Sequence, residues 1–423
     1  MASNPTGFKI NYGNTYPATT DQYDLDDVYI RRDKFKKGGL WIWGSGGGGQ
    51  LGNDLTTSRS SPVQTCISGN SWRKVCVSKH DGHFALALTT TGQVWGWGCN
   101  DNGQVALSPF ADSLCPRRIT CLDTVTIISA GGAAATAYSS GVDASQTGIF
   151  GTGAAADYLG EYCRIVWGCL EGCRTGKDSS ISSGTIQDDF YDIKWVDISL
   201  GNRFGIGIAD YIPPYGFNTP GVLMEWGCGK PSNTLTVLPN VLSSESWKYV
   251  AAGNTHAMAI KCDGTLWVWG CNHKGQLGTD DTVDRSLPVQ LGTSNSWTAI
   301  TAGCNFSAAI LAGDFRCNAA VLYTWGENTY GQLGVNSTTD RSSPTQVSSS
   351  CTNWKKISGG DTHFAALQTD GTAWTWGSNE FGELGRGDRV NRSSPVQILG
   401  CATGWYDISA GQCATSGLNE NAW

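Results

Sequence analysis

Seven times along this chain a tetrapeptide closes on Trp-Gly, in the form aromatic-x-Trp-Gly or a close variant, and a sequence that repeats in this way has few folds open to it. The copies are Trp41-Ile-Trp43-Gly44, Trp95-Gly-Trp97-Gly98, Ile165-Val-Trp167-Gly168, Met224-Glu-Trp226-Gly227, Trp267-Val-Trp269-Gly270, Tyr323-Thr-Trp325-Gly326 and Trp374-Thr-Trp376-Gly377. A second signature, in its fullest form Trp-x-x-Ile-x-Ala-Gly, leads with Trp72, Val125, Trp195, Trp247, Trp297, Trp354 and Trp405. Each leading residue follows the preceding Trp-Gly glycine by 27 or 28 residues, except Trp247, which follows Gly227 by 20.

Between the two signatures, turn and strand signals keep a fixed order. Gly-Gln-Leu-Gly occupies 49–52, 275–278 and 331–334, with Gly-Glu-Leu-Gly at 382–385. Glycine permits the positive φ that a tight loop needs. Ser-Pro-Val-Gln at 61–64 and 394–397, Ser-Pro-Thr-Gln at 343–346 and Leu-Pro-Val-Gln at 287–290 follow; proline at the start of a short strand suits an edge, where no ladder donor is missed. Period-two alternation in Leu266-Trp-Val-Trp269 and His256-Ala-Met-Ala-Ile260 indicates about four short strands per unit of roughly fifty residues. Four strands repeated radially make a propeller blade.

The two ends are complementary halves. Residues 40–64 supply only the later strands of a unit and residues 405–418 only the earlier ones. The expected fold is therefore all-β, a seven-bladed β-propeller over residues 40–423, closed by its N- and C-terminal strands so that no sheet is left incomplete. Residues 1–39 are expected to be an extended arm, and a long insertion is expected around residues 138–194.

Trp269-Gly-Cys-Asn-His-Lys-Gly-Gln-Leu-Gly278, with the Ser-Pro-x-x and Ala-Gly-x-x-His segments, resembles the regulator of chromosome condensation repeat, over about residues 40–418. No Trp-Asp pair closes a strand, as WD repeats would show, and Gly-Gly pairs are not placed as in kelch. The resemblance implies a platform for macromolecular partners, and guanine-nucleotide exchange is the activity of the family's founding member. Fold alone does not carry that activity over. The Gly-Trp-Arg-His-Thr signature of the family's light-sensing members is absent, since the chain reads Gly253-Asn-Thr-His256 and Gly360-Asp-Thr-His363.

Composition narrows the partners. Hydrophobic residues at 40% and aromatics at 10% exclude a disordered chain. A net charge of −7 offers no basic field for a duplex, so no nucleic-acid partner is expected. No apolar run is long enough for a membrane helix and the first ten residues lack a signal core, so neither membrane insertion nor a standard secretory signal is expected. Low charge and abundant Gly, Ser, Thr and Asn look like virion proteins of tailed phages, which gives the expected role: a noncatalytic structural or attachment subunit, anchored by its arm. The expected partners are other protein subunits, namely capsid or tail proteins, and a host surface receptor. The alternatives are the exchange factor and a cytoplasmic scaffold.

Residues that recur at one repeat position are explained by the blade, so functional candidates are what remains after the repeat is subtracted. Subtraction removes His256 and His363, read as strand-end pins, with His83 as a looser copy, and Arg59, Arg285, Arg341 and Arg392, read as loop braces. It also removes Cys99, Cys169, Cys228 and Cys271, which each follow Trp-Gly and are read as reduced thiols filling a buried slot. No CxxC pair or His-x-x-x-His points to a metal, and no cofactor is expected. Gly172-Cys-Arg-Thr-Gly-Lys177 has the wrong spacing for a phosphate loop, and no nucleophile elbow occurs, so no catalytic residues are assigned. The remaining candidates for partner binding are Tyr12, Tyr16, Tyr23, Asp26, Asp27, Tyr29, Arg31 and Arg32 in the arm, and Tyr211, Tyr215 and Phe217 in an aromatic loop. The arm reads equally as a solvated leader or as a docking segment, and the loop equally as packed or binding.

Overall fold

Alternation of apolar and polar residues every second position, broken by glycine turns, gives strands of five or six residues wherever the repeat is intact. The computed structural model describes residues 38–67, 69–80, 82–101, 103–106, 111–119, 124–132, 134–139, 163–168, 185–186, 193–202, 204–211, 221–227, 236–237, 246–313, 320–348, 353–400 and 403–420. These residues form seven four-stranded antiparallel sheets. Blade 1 joins β1 (Gly39–Gly44) and β2 (Arg59–Gln64) to β27 (Trp405–Ala410) and β28 (Ala414–Asn419) in the order β2-β1-β28-β27. The expected closure is thus present: Trp41 pairs Gly417 and Trp43 pairs Thr415.

The other blades are sequential. Blade 2 holds β3 (Trp72–Val77), β4 (Phe84–Thr89), β5 (Val94–Gly98) and β6 (Ser113–Arg118); blade 3 holds β7 (Val125–Ala130), β8 (Ala134–Ser139), β9 (Cys163–Gly168) and β10 (Thr185–Ile186). Blade 4 holds β11 (Lys194–Leu200), β12 (Phe204–Tyr211), β13 (Val222–Gly227) and β14 (Thr236–Val237); blade 5 holds β15 (Trp247–Ala252), β16 (His256–Lys261), β17 (Leu266–Gly270) and β18 (Arg285–Gln290). Blade 6 is β19 (Trp297–Ala302), β20 (Phe306–Leu311), β21 (Val321–Gly326) and β22 (Arg341–Gln346), and blade 7 is β23 (Trp354–Gly359), β24 (His363–Gln368), β25 (Ala373–Gly377) and β26 (Arg392–Gln397). Named A to D from the inside, the A strands β27, β3, β7, β11, β15, β19 and β23 touch one another in a closed cycle and line the central channel.

Both signatures now have a physical account. The leading Trp of strand A meets the first aromatic of the strand C tetrapeptide edge-on: Trp72 with Trp95, Trp247 with Trp267, Trp297 with Tyr323 and Trp354 with Trp374, at centroid distances of 5.8 to 6.4 Å. The indole has to cross strand B, and the fourth B-strand residue is small in all seven blades: Ala87, Ala137, Gly207, Ala259, Ala309, Ala366 and Gly417. A Cβ on Gly207 would lie 2.4 Å from Trp195, and one on Gly417 2.7 Å from Trp405.

The second Trp of the tetrapeptide latches one blade to the preceding one. Trp97 Nε1 donates to the Gln50 carbonyl, Trp325 to Gln276, Trp376 to Gln332 and Trp43 to Glu383, at 2.7 to 2.9 Å. These acceptors are the second residue of Gly-Gln-Leu-Gly. Its closing glycine lies against the same indole, so that a Cβ on Gly52, Gly278, Gly334 or Gly385 would come within 2.9 Å of a ring atom. All four indoles are fully buried.

A third link runs around the inner ring. The residue before the last of each A strand bonds the next blade through its side chain: Ser129 accepts from Leu200 N–H, Ser199 from Ala252, Thr301 from Gly359, Ser358 from Ala410 and Ser409 from Val77. Cys76 holds that place in blade 2 and donates to the Ile128 carbonyl, whereas blade 5 has Ala251 and no such link.

Some sequence expectations shift. The proline of Ser-Pro-x-x stands fourth in its strand rather than first, because β2, β18, β22 and β26 begin at Arg59, Arg285, Arg341 and Arg392; the strand is outermost, as an edge requires. Cys99 and Cys271 are free but only half-buried, and their slot also takes Ser45, Glu327 and Ser378, so it does not select for a thiol. Cys169 and Cys228 lie outside the described residues. His83 is not the counterpart of His256: Phe84 pairs Gly98 as His256 pairs Gly270, and three extra residues lengthen the loop before it.

Candidate functional site: the channel mouth

Antiparallel strands put the A–B and C–D loops of every blade at the same end, and the first residue after strand C bonds the A–B loop directly, as in Cys271 N–H to Thr255 O and Ser378 N–H to Thr362 O. In the A–B loop the residue just after the Gly (or, in blade 2, the Ser) that follows strand A stands at the channel mouth. Those seven residues are Lys79, Gly132, Asn202, Asn254, Cys304, Asp361 and Gln412, different in almost every blade. They form a hydrogen-bonded collar. Asn202 Nδ2 donates to Asn254 Oδ1 at 2.9 Å, and Asn254 Nδ2 donates to Cys304 Sγ at 3.5 Å.

The longer blade-2 loop reaches over this collar. Lys79 Nζ donates to the Ala302 carbonyl of blade 6 at 2.7 Å, and His80 Nδ1 lies 3.2 Å from Asp361 Oδ1 of blade 7. Burial pushes the Lys79 ammonium down to about 8, with Asp361 opposing that shift. Below the collar the A strands carry further charge: Lys356 is paired with Asp407, whose Oδ2 accepts from Val75 N–H, and Lys74 is in electrostatic range of Asp197. Burial raises the Asp197 carboxyl above its usual range.

Outside the collar, the C–D loop tips also break the repeat. They present Gly47 and Gly48, Asp101, His273 and Lys274, Thr329 and Tyr330, Glu380 and Phe381. Tyr330 is 43% exposed. The loops beneath these tips do repeat: Asn272, Asn328 and Asn379 each take a carboxylate or amide oxygen twelve residues on, from Asp284, Asp340 and Asn391.

The histidines are pins. His256 Nε2 bonds Ser307 Oγ at 2.9 Å and His363 Nε2 bonds Thr415 Oγ1 at 2.8 Å, each across a blade junction. Burial drives both rings down to about 3, so they stay neutral and are poor bases in the physiological range. Arg285 and Arg392 are braces, each paired with the aspartate four residues earlier, Asp281 or Asp388. Among the described residues, Cys99, Asp101 and Asp112 are the group with metal-like proximity, ligand atoms within 4.8 Å. Asp112, however, accepts from Asn100 N–H in the same loop-bracing role as Asp284 and Asp340, and Cys99 Sγ donates to Asp101.

The sequence-derived candidates fall elsewhere. Tyr12, Tyr16, Tyr23, Asp26, Asp27, Tyr29, Arg31, Arg32, Tyr215 and Phe217 lie outside the described residues. Tyr211 ends β12 opposite Lys194, at the end of blade 4 away from the channel mouth. The collar was missed because Ala-Gly-x-x-His reads as blade, although its first x is the position that fails to repeat.

Family models of the regulator of chromosome condensation (RCC1) repeat match residues 91–137, 263–310, 321–367 and 370–415, and a second such model matches 247–276 and 354–383. The chain carries RCC1 repeats within a seven-bladed propeller. It is 27% identical to the Arabidopsis thaliana ultraviolet-B receptor UVR8 over 77% of its own length and 70% of the receptor's. It is 32% identical to the human E3 ubiquitin-protein ligase HERC2 over 39% of its length, but spans only 4% of that ligase. Among solved structures, Saccharomyces cerevisiae Prp20p, described with its binding to Gsp1p and histones, superposes with a TM-score of 0.73 at 18% identity over 95% of both chains. Human WBSCR16 gives 0.71 at 20% identity over 90% of this chain and 98% of its own. These likenesses establish the RCC1-type fold.

Proposed function

We propose that this RCC1 propeller is a noncatalytic protein-binding module whose partner sits on the channel-mouth face. One observation carries the reading: on a scaffold whose latches and loop braces repeat, the collar and the C–D tips on that face are the described positions where chemistry changes from blade to blade. Diverse side chains on rigid supports are how recognition surfaces are built. The mix includes two aromatics on neighbouring blades, Tyr330 and Phe381, flanked by Lys274, Glu327 and Glu380, which suits an anchored core with a charged rim. That Prp20p is described with protein partners supports the class of function, not the identity of this partner.

The test is a pair of photocrosslinkers, one at position 330 or 273 and one at 263 or 370 on the opposite face, introduced into the full chain in its native setting. Crosslinks to protein are expected from the first pair. Crosslinks from the second pair alone refute the assignment. Virion attachment through residues 1–39 is a finer proposal that rests on composition. Deleting those residues should leave a folded ring that no longer enters a particle. Nucleotide exchange is the competing activity, and release of guanine nucleotide from a small GTPase should not accelerate when the protein is added.

A further inference from the structure

Two repeat positions bear on the outer side of each blade junction: the second residue after a D strand, and the third residue of the D strand in the next blade. Around most of the described ring these are small or aliphatic, namely Gly292 and Ser343, Ser348 and Ser394, Leu399 and Ser61. At the junction of blades 1 and 2 they are Cys66 and Cys115, joined as a disulfide with their Cα atoms 5.7 Å apart and a sequence separation of 49. Cys76, Cys99, Cys262 and Cys271, by contrast, are thiols outside any disulfide.

The location matters because blade 1 is the composite blade. Its β1–β2 hairpin belongs to the start of the chain but completes a sheet whose inner strands come from the end. That hairpin is held to β28 by a ladder from Gly39 to Gly44 and to blade 7 by the Trp43 indole, all noncovalent. On its other side, Asp54 N–H donates to Leu114 O and Gln50 O accepts from Trp97, both in blade 2. Chain continuity tethers the hairpin once, through the segment leading to β3. The disulfide tethers it a second time, at the outer rim, so that a hairpin lifted from β28 cannot swing clear of its seat. Cys66 is an exposed residue and Cys115 a half-buried one, so Cys66 is the more accessible partner.

We propose that Cys66 and Cys115 form a redox modification site, a reversible clasp that holds the N-terminal hairpin in the ring and is released by a dithiol reductant. A thiolate of the reductant attacks Cys66 Sγ and breaks the S–S bond, and Cys115 leaves as a thiolate and takes up a proton. The second thiol of the reductant then attacks the mixed disulfide and releases Cys66 as a thiol. Two electrons pass to the protein, and the reductant ends as its own disulfide. Release exposes the edge of β28, which β1 otherwise covers.

The full chain, purified without reductant, should yield a crosslinked peptide containing Cys66 and Cys115 that iodoacetamide does not label. On adding dithiothreitol, amide exchange across Gly39–Gly44 should accelerate at least about tenfold while exchange in β19 and β23 stays unchanged. The Cys66→Ser/Cys115→Ser variant should exchange like reduced wild type and ignore dithiothreitol. Ready alkylation of both cysteines before reduction overturns the proposal. So does a hairpin that exchanges at the same rate in both states, an acceleration spread evenly over all blades, or a variant that responds to dithiothreitol as wild type does. Reduction of the wild type alone keeps the test decisive if the variant does not fold.

Discussion

The junctions between blades 5 and 6 and between blades 6 and 7 use the same indole latch as the two junctions flanking blade 1, yet the chemistry around the latch differs. In the regular arc the acceptor residues are Gln276 and Gln332, and sequence continuity supplies the rest. At the seam between blades 7 and 1 the acceptor is Glu383, and between blades 1 and 2 a disulfide is added. The contrast teaches that the latch fixes geometry everywhere, while conditional chemistry gathers where the ring has to be closed from two chain ends.

Removing the latch is the severest way to test this. Trp376→Ala and Trp43→Ala each empty a fully buried site and should each cost about 3 to 5 kcal/mol in denaturant unfolding. The comparison predicts different distributions of the damage. Trp376→Ala should accelerate amide exchange across the ring, since no seam relieves it, whereas Trp43→Ala should open β1 and β28 first. Equal patterns in the two variants would show that the seam has no mechanical identity of its own.

The seam also has its own pH dependence. Glu383 fills the place of a glutamine, its Oε2 accepting from Phe381 N–H as Gln332 Oε1 accepts from Tyr330 N–H. Burial lifts its carboxyl from 4.5 to about 7, with Glu380 adding like charge. Between those values the native state holds a proton that the unfolded chain has lost, so stability declines as pH rises from about 4.5 through about 7. Glu383→Gln should remove that slope, raising stability by up to about 3 kcal/mol at pH 8 and hardly at all at pH 4.5. Parallel pH profiles for variant and wild type would place the titration elsewhere.

The histidine pins have the opposite sign. His363 is held at about 3, so acid protonates the unfolded chain first, and stability falls as pH drops below 6.5. Blades 2, 4 and 6 carry Phe84, Phe204 and Phe306 at this position. His363→Phe should therefore fold, shift stability at neutral pH by only about 1 kcal/mol for the lost Thr415 bond, and spare about 2 kcal/mol of the loss at pH 5.

What could be read in the sequence follows from what repeats. Blade number, closure and the outermost place of the proline strands were legible because Trp-Gly and Ser-Pro recur at fixed intervals and strand patterns are local. The roles of Trp43 and of the closing glycine in Gly-Gln-Leu-Gly were not, because the partners lie on different blades, as far apart as Trp43 and Glu383. The collar was hidden for another reason: Lys79, Asn254 and Asp361 each stand seven residues after the leading Trp of their unit, but a variable position inside a repeat motif reads as noise until the closed ring gathers its copies at one mouth. Cys66 and Cys115 gave no metal-like or paired spacing, since what joins them is the neighbourhood of two outer strands.

The inner bracelet offers the smallest and most specific test of the same idea. Six of seven A strands carry Cys, Ser or Thr at the position that reaches the next blade, and blade 5 carries Ala251, 6% exposed, so the link to blade 6 is missing from the most regular arc of the ring. By register, a hydroxyl there would face the Ala302 N–H, as Ser199 faces Ala252. Ala251→Ser adds one oxygen to a slot that accommodates serine in four other blades. If the bracelet contributes independently of the seam, the variant gains about 0.5 to 1.5 kcal/mol and slows exchange at Ala302 without changing β1. A loss of stability would mean that blade 5 is packed too tightly for the hydroxyl and that the indole latches alone carry this arc.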